Sequence, residues 1–124
     1  MIHKHTISFV HALRGARYAL MTQPNYRVHA CCSILALAAG FFLHITKFEF
    51  LIIIFLITMG FSIETINTAI EQTNDAITED RRDAIRIAKD VSAGAMLIFA
   101  FGSVILAILI FYPYLLNFFI KAGS

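Results

Sequence analysis

The sequence predicts an all-α membrane protein, with an N-terminal amphipathic helix on the membrane surface followed by three transmembrane helices in a single domain, 1–124. Three observations carry this. The 124 residues are 59% hydrophobic and only 15% charged, far from the profile of a soluble domain. Two stretches, 28–46 and 91–120, hold no Lys, Arg, Asp or Glu, and each is near or beyond the ~20 residues a bilayer needs. Eight of the ten cations fall on one side of these stretches, which the positive-inside rule makes cytoplasmic.

The first element, about 6–22, contains "SFVHALRGARYAL". Phe9, Leu13, Ala16 and Leu20 share one helical face, with His11, Arg14 and Tyr18 opposite, so it reads as a helix lying on the membrane. It lacks the continuous apolar core of a signal peptide and is expected to stay on the protein, with a cytoplasmic N-terminus. Span one covers about 28–46. Its adjacent Cys31 and Cys32 have no third partner and suggest neither a disulfide framework nor a zinc site.

Span two, about 48–70, is less clean. Its charge-free run from Phe50 to Ile63 is short, and Glu64 lies ~22 Å along a helix from Glu49, near the cytoplasmic edge of the hydrocarbon. The segment 72–90 carries five acids and four bases and is expected to be a solvated loop that meets a soluble ligand. Span three, about 91–115, follows. No internal repeat or linker divides the chain.

Chemistry concentrates in "ETINTAIEQTND". On a helix Glu64, Asn67, Glu71 and Asp75 lie within ~80° of one another, a stripe ~16 Å long running from inside the membrane edge to the cytoplasm. An acid at membrane depth costs about 2.5–3.5 kcal/mol on insertion scales, so the stripe is expected to face protein, a cation or water. An interhelical polar contact is the bland alternative. Three acids and an amide in register favour a functional cluster, and two carboxylates can divide the labour. Glu71 would hold a divalent cation, and Glu64 would accept the proton of an attacking lipid hydroxyl. No Walker-type or protein-kinase glycine motif accompanies them.

These residues resemble a known family. "ETINTAIEQTND" with "RIAKDVSAGAMLI", after "SFVHALRGARYAL", "QPNYRVH" and "KFEF", is similar to the small bacterial integral-membrane diacylglycerol kinase and undecaprenol kinase family over roughly residues 8–115. The resemblance implies a homotrimer of three-span subunits in the bacterial inner membrane. It also implies transfer of the γ-phosphoryl group of MgATP to a lipid alcohol, with Mg²⁺ as cofactor, ATP, the lipid and the chain's own copies as partners, and no nucleic acid. It gives Glu64 the role of catalytic base, Glu71 that of metal ligand, and Asn67, Lys89 and Asp90 nucleotide contacts. "SFVHALRG" and "IAKDVSAGA" look closer to the undecaprenol kinase branch.

One position departs from the pattern. Family members often carry an acid where this chain has Gln23, which offers a carbonyl oxygen to the metal but no charge. Arg81 and Arg82 are candidates to steer polyphosphate, and His11 is a further nucleotide-contact candidate, although a solvated polar face accounts for each of them as well. A trimer is also expected because a single subunit has little means of hiding the stripe from lipid. Two readings from other classes, a cation- or proton-conducting oligomer and a non-catalytic assembly subunit, use the same stripe. The first would extend polar residues through the bilayer, where Phe50 to Gly60 offers only Thr58.

Overall fold

The computed structural model describes residues 2–77 and 82–123, nearly all helical: α1 (Ile2–Thr22), α2 (Pro24–Phe42), α3 (Lys47–Ile77) and α4 (Asp83–Ala122). There is no strand among the described residues. α3 and α4 are long and apolar enough to cross a membrane. α2 does not reach that standard, because Pro24, Asn25, Arg27 and His29 occupy its first two turns.

The boundaries have local causes. α1 and α2 are separated by Gln23 alone, extended at φ −95° and ψ 116° as a residue before proline prefers, with Pro24 opening α2. α2 stops at Phe42, short of the expected 46. His44 takes a left-handed φ of 51°, its N–H donates to the Phe41 carbonyl at 3.3 Å, and the Ile45 N–H donates to the Gly40 carbonyl at 3.2 Å. That pair of bonds satisfies the last carbonyls of a helix that cannot continue. α3 starts with a capping box: the Thr46 N–H donates to Glu49 Oε2 at 2.8 Å and the Glu49 N–H donates to Thr46 Oγ1 at 3.3 Å.

The largest departure from expectation lies in 72–90, which is mostly helix rather than loop. α3 continues to Ile77 and α4 begins at Asp83, eight residues before the expected start of span three. Asp83 sits in the first turn of α4, and Arg86 pairs with Asp83 at 3.7 Å and Asp90 at 3.2 Å, one turn away on either side. Such exposed pairs are individually weak, but their spacing supports helix. Residues 78–81, Arg81 among them, lie outside the described residues. At its other end α4 passes through Pro113 to Ala122 rather than stopping near 115. A proline removes one donor from a helix, which transmembrane helices tolerate.

α3 and α4 run antiparallel in a single register, with Asp75 against Lys89, Asn67 against Ser92, Gly60 against Phe99, and Glu49 against Tyr114. α2 packs on α3 through His29 and through Tyr26, whose ring centroid lies 4.9 Å from that of Phe61. α1 reaches α3 through the Tyr18 hydroxyl, which donates to Gln72 Oε1 at 2.9 Å. Its apolar residues Phe9, Leu13 and Leu20 stay exposed, as a face meant for a membrane surface should be. The buried hydrophobic residues among those described are few, namely Ala19, Tyr26, Ile53 and Ile110, while Leu97, Ile98 and Phe101 point outward. A core this thin with an apolar exterior suits hydrocarbon better than water.

Candidate functional site

The polar stripe of α3 is graded by depth. Glu64 is 1% exposed, Asn67 and Thr68 are buried, Glu71 is half-buried and Asp75 is exposed. The gradient follows from what lies opposite. The face carrying Glu64 is covered by α2 and α4 of the same chain, which meet it at Gly60, one turn earlier, through His29 and Phe99. For Glu64 and Asn67 the shielding is therefore supplied within one chain, whereas Glu71 stays half-buried and Asp75 exposed.

Asn67 is the best-held member of the stripe. Its Nδ2 donates to Glu71 Oε1 at 3.2 Å, and its Oδ1 accepts from the Ser92 hydroxyl at 2.7 Å. Ser92 Oγ also lies 3.0 Å from the Lys89 carbonyl of its own helix. With both ends of the amide engaged, its orientation is set, and so is the oxygen of Glu71 that it holds.

Glu64 is the opposite case. Its Oε2 is buried and has no hydrogen-bond partner among the described residues. A buried carboxylate oxygen without a donor is costly, so it calls for a functional account. An oxygen that is free to accept a proton is what a general base must offer.

The remaining candidates surround this centre unevenly. Lys89 is ion-paired with Asp75, which ties the outer end of the stripe to α4. Asp90 pairs with Arg86 rather than joining Lys89. Arg82 is exposed and N-caps α4 through its backbone, and His11 is exposed on α1. Gln23 is half-buried at the corner between α1 and α2, and its side chain makes no cap bond. Among the described residues no group of three or more His, Cys, Asp or Glu converges as a metal cage. Glu71 and Gln23, both half-buried, each carry an oxygen of the kind Mg²⁺ takes when most of its shell is water and phosphate.

Three partners were not singled out from the sequence: Ser92, His29 and Gln72. Each contacts the site from another helix, or ties another helix to it, across 25 or more positions. Only His29 carried a local signal, an imidazole at the start of a charge-free run.

Comparison with known proteins agrees with the resemblance drawn from the motifs. The family model of prokaryotic diacylglycerol kinase matches residues 10–111. An undecaprenol kinase of Bacillus subtilis is 43% identical over 106 residues, covering 86% of each chain. A diacylglycerol kinase of a Synechocystis species is 30% identical over 112 residues, covering 90% of this chain and 64% of that longer relative. Most of the chain, including α2, α3 and the apolar body of α4, is thus accounted for by one set of relatives, and the protein belongs to the prokaryotic diacylglycerol kinase family, a family of membrane lipid kinases.

Proposed function

We propose that the protein transfers the γ-phosphoryl group of MgATP to a membrane lipid alcohol, undecaprenol in preference to diacylglycerol, at the cytoplasmic edge of the bacterial inner membrane. The observation that carries this reading is the buried, unpartnered Oε2 of Glu64 one turn from the fixed Asn67–Glu71 pair. The preference for undecaprenol is supported by the higher identity to the relative named undecaprenol kinase.

Glu64 takes the proton of the lipid hydroxyl. The alcohol oxygen then bonds to the γ-phosphorus as the bond to the β–γ bridging oxygen breaks and ADP leaves. Asn67, held by Ser92, orients the polar end of the site. The Glu71 oxygen that Asn67 does not engage, together with the Gln23 carbonyl, would hold Mg²⁺, and the ion when bound neutralises phosphate charge. Lys89 and Asp90 contact the nucleotide after exchanging their present partners Asp75 and Arg86. Arg81, Arg82 and His11 steer the polyphosphate from outside. A base, a few oxygens and a lysine suffice because phosphoryl transfer rests mainly on positioning and charge neutralisation.

The homotrimer and the third transmembrane pass, α2, belong to this proposal: the pass is supported by the charge-free run 28–46, and the trimer by the resemblance. Self-shielding of Glu64 narrows the independent reason for a trimer to the outer part of the stripe. Conducting or purely structural roles are not favoured for a member of a kinase family. The test is purified protein with labelled MgATP against a panel of polyprenols and diacylglycerols. Label is expected on undecaprenol at the highest rate. Label on no lipid, or a clear preference for diacylglycerol, would overturn the corresponding part of the proposal.

A further inference from the structure

Ser92 on α4 makes a contact that the serines and threonines of α3 do not. Thr58, Ser62, Thr65, Thr68 and Thr73 each donate to the carbonyl four residues earlier on their own helix, at 2.6–2.9 Å. That is the usual resting place of a hydroxyl inside a helix. Ser92 is buried, and its Oγ lies 2.7 Å from Asn67 Oδ1 on α3, nearer than the 3.0 Å to the Lys89 carbonyl of its own helix. A hydroxyl has one proton and an amide oxygen can only accept, so the proton is given across the helix pair, with the Lys89 carbonyl as the secondary acceptor.

That bond decides which way the amide faces. Were the Asn67 amide turned over, two acceptor oxygens would meet where Nδ2 now lies 3.2 Å from Glu71 Oε1. The amide is planar, and its plane is held at both ends, by Glu71 one turn along α3 and by Ser92 from α4. Held by Glu71 alone, it could swing about a single bond. Asn67 and Ser92 are both buried, so water is poorly placed to replace the contact if it is lost. The second N–H of Nδ2 lies in the same plane as the first, and the two bonds that hold the plane therefore fix its direction as well.

We infer that Ser92 is a positioning residue for the reaction: its hydroxyl fixes the plane of the Asn67 amide from α4, so that one N–H holds Glu71 and the other keeps a set direction for an oxygen of the transferred phosphoryl group. This rests on the reading of Asn67 and Glu71 as parts of a kinase site. Ser92 does not meet substrate in this assignment. It acts through Asn67, and it makes the polar stripe of α3 depend on the register of α4.

The experiment compares wild type, Ser92→Ala and Ser92→Thr as purified protein in lipid, with two readouts. The first is kcat against KM for the lipid alcohol. Ser92→Ala removes the donor with little change of volume and suits a helix, so the fold should hold while kcat falls about tenfold, the size of one hydrogen bond, with KM for lipid near wild type. Ser92→Thr keeps the hydroxyl and is expected to retain most of the wild-type kcat. The second readout is the side-chain amide signal of Asn67 in solid-state NMR of protein carrying isotope-labelled asparagine, identified by its loss in Asn67→Ser, which needs no turnover. Two distinct proton resonances on that nitrogen are expected in wild type and Ser92→Thr. In Ser92→Ala the signal is expected to shift and broaden as the plane loosens. Unchanged kcat in Ser92→Ala would overturn the inference, as would an unchanged amide signal, or equal losses of kcat in Ser92→Ala and a folded Ser92→Thr. If Ser92→Thr fails to fold, wild type against Ser92→Ala decides on both readouts. If wild type phosphorylates no lipid, the kinase reading fails, and the amide signal alone decides whether Ser92 holds Asn67.

Discussion

Helix α3 carries two glutamates 15 positions apart whose circumstances are opposite. Glu49 Oε2 accepts three hydrogen bonds, from the Thr46 N–H at 2.8 Å, the Thr46 hydroxyl at 2.6 Å and the Tyr114 hydroxyl at 2.7 Å. Glu64 Oε2 accepts none, although it is far more deeply buried. At the first end the acid's hydrogen-bonding capacity goes into holding α3 to its cap and to α4. At the second it is left available. A satisfied carboxylate in a small helical protein is a fastening, whereas an unsatisfied buried one has to be explained by what arrives there.

The sharpest way to break this comparison is to neutralise each acid in turn. Glu64→Gln keeps the shape and removes the proton acceptor, so lipid phosphorylation is expected to fall ~10²–10⁴-fold while assembly and nucleotide binding stay near wild type. Glu49→Gln should leave kcat unaltered. Labelled-ATP turnover beside size-exclusion chromatography distinguishes the two, and equal loss of folding in both would make Glu64 another fastening. A smaller effect is expected at the outer part of the site, where Gln23→Glu restores a charge beside the proposed metal ligands. The Mg²⁺ concentration for half-maximal activity at fixed ATP should drop, because a carboxylate holds the ion more tightly than an amide carbonyl does. Superimposable titrations would show that residue 23 does not touch the metal. The smallest effect belongs to Tyr114→Phe, which removes one of the three donors from Glu49. A slight fall in Tm in detergent with unchanged kcat is expected, and a large loss of activity would mean that the Glu49 end is no mere fastening.

Much of this arrangement was legible beforehand, for a physical reason. Helical periodicity relates residues on the same helix, so the stripe from Glu64 to Asp75 and the apolar face of α1 could be read directly. Distant partners cannot be read that way. Ser92, which fixes Asn67, and His29, which sits on Gly60, depend on how helices pack, and nothing in the local pattern announces the register. The same limitation explains the misplaced loop. Charge density suggested solvated coil over 72–90, but Arg86 lies between Asp83 and Asp90 at helical spacing, and Lys89 of α4 pairs with Asp75 of α3, so charge there supports helix. The early end of α2 was missed because His44, not glycine, adopts the left-handed conformation that stops it.

The four rungs between α3 and α4 have a mechanical consequence. Asp75 to Lys89, Asn67 to Ser92, Gly60 to Phe99 and Glu49 to Tyr114 span nearly the full length of the pair. A slip of a single residue, ~1.5 Å, would spoil all four at once. The two long helices therefore behave as a stator. Any swing that admits a bulky alcohol to Glu64 falls to α1 and α2, which join the stator through the non-helical residues 43–46 and meet it through Tyr18 on Gln72, Tyr26 against Phe61 and His29 at Gly60.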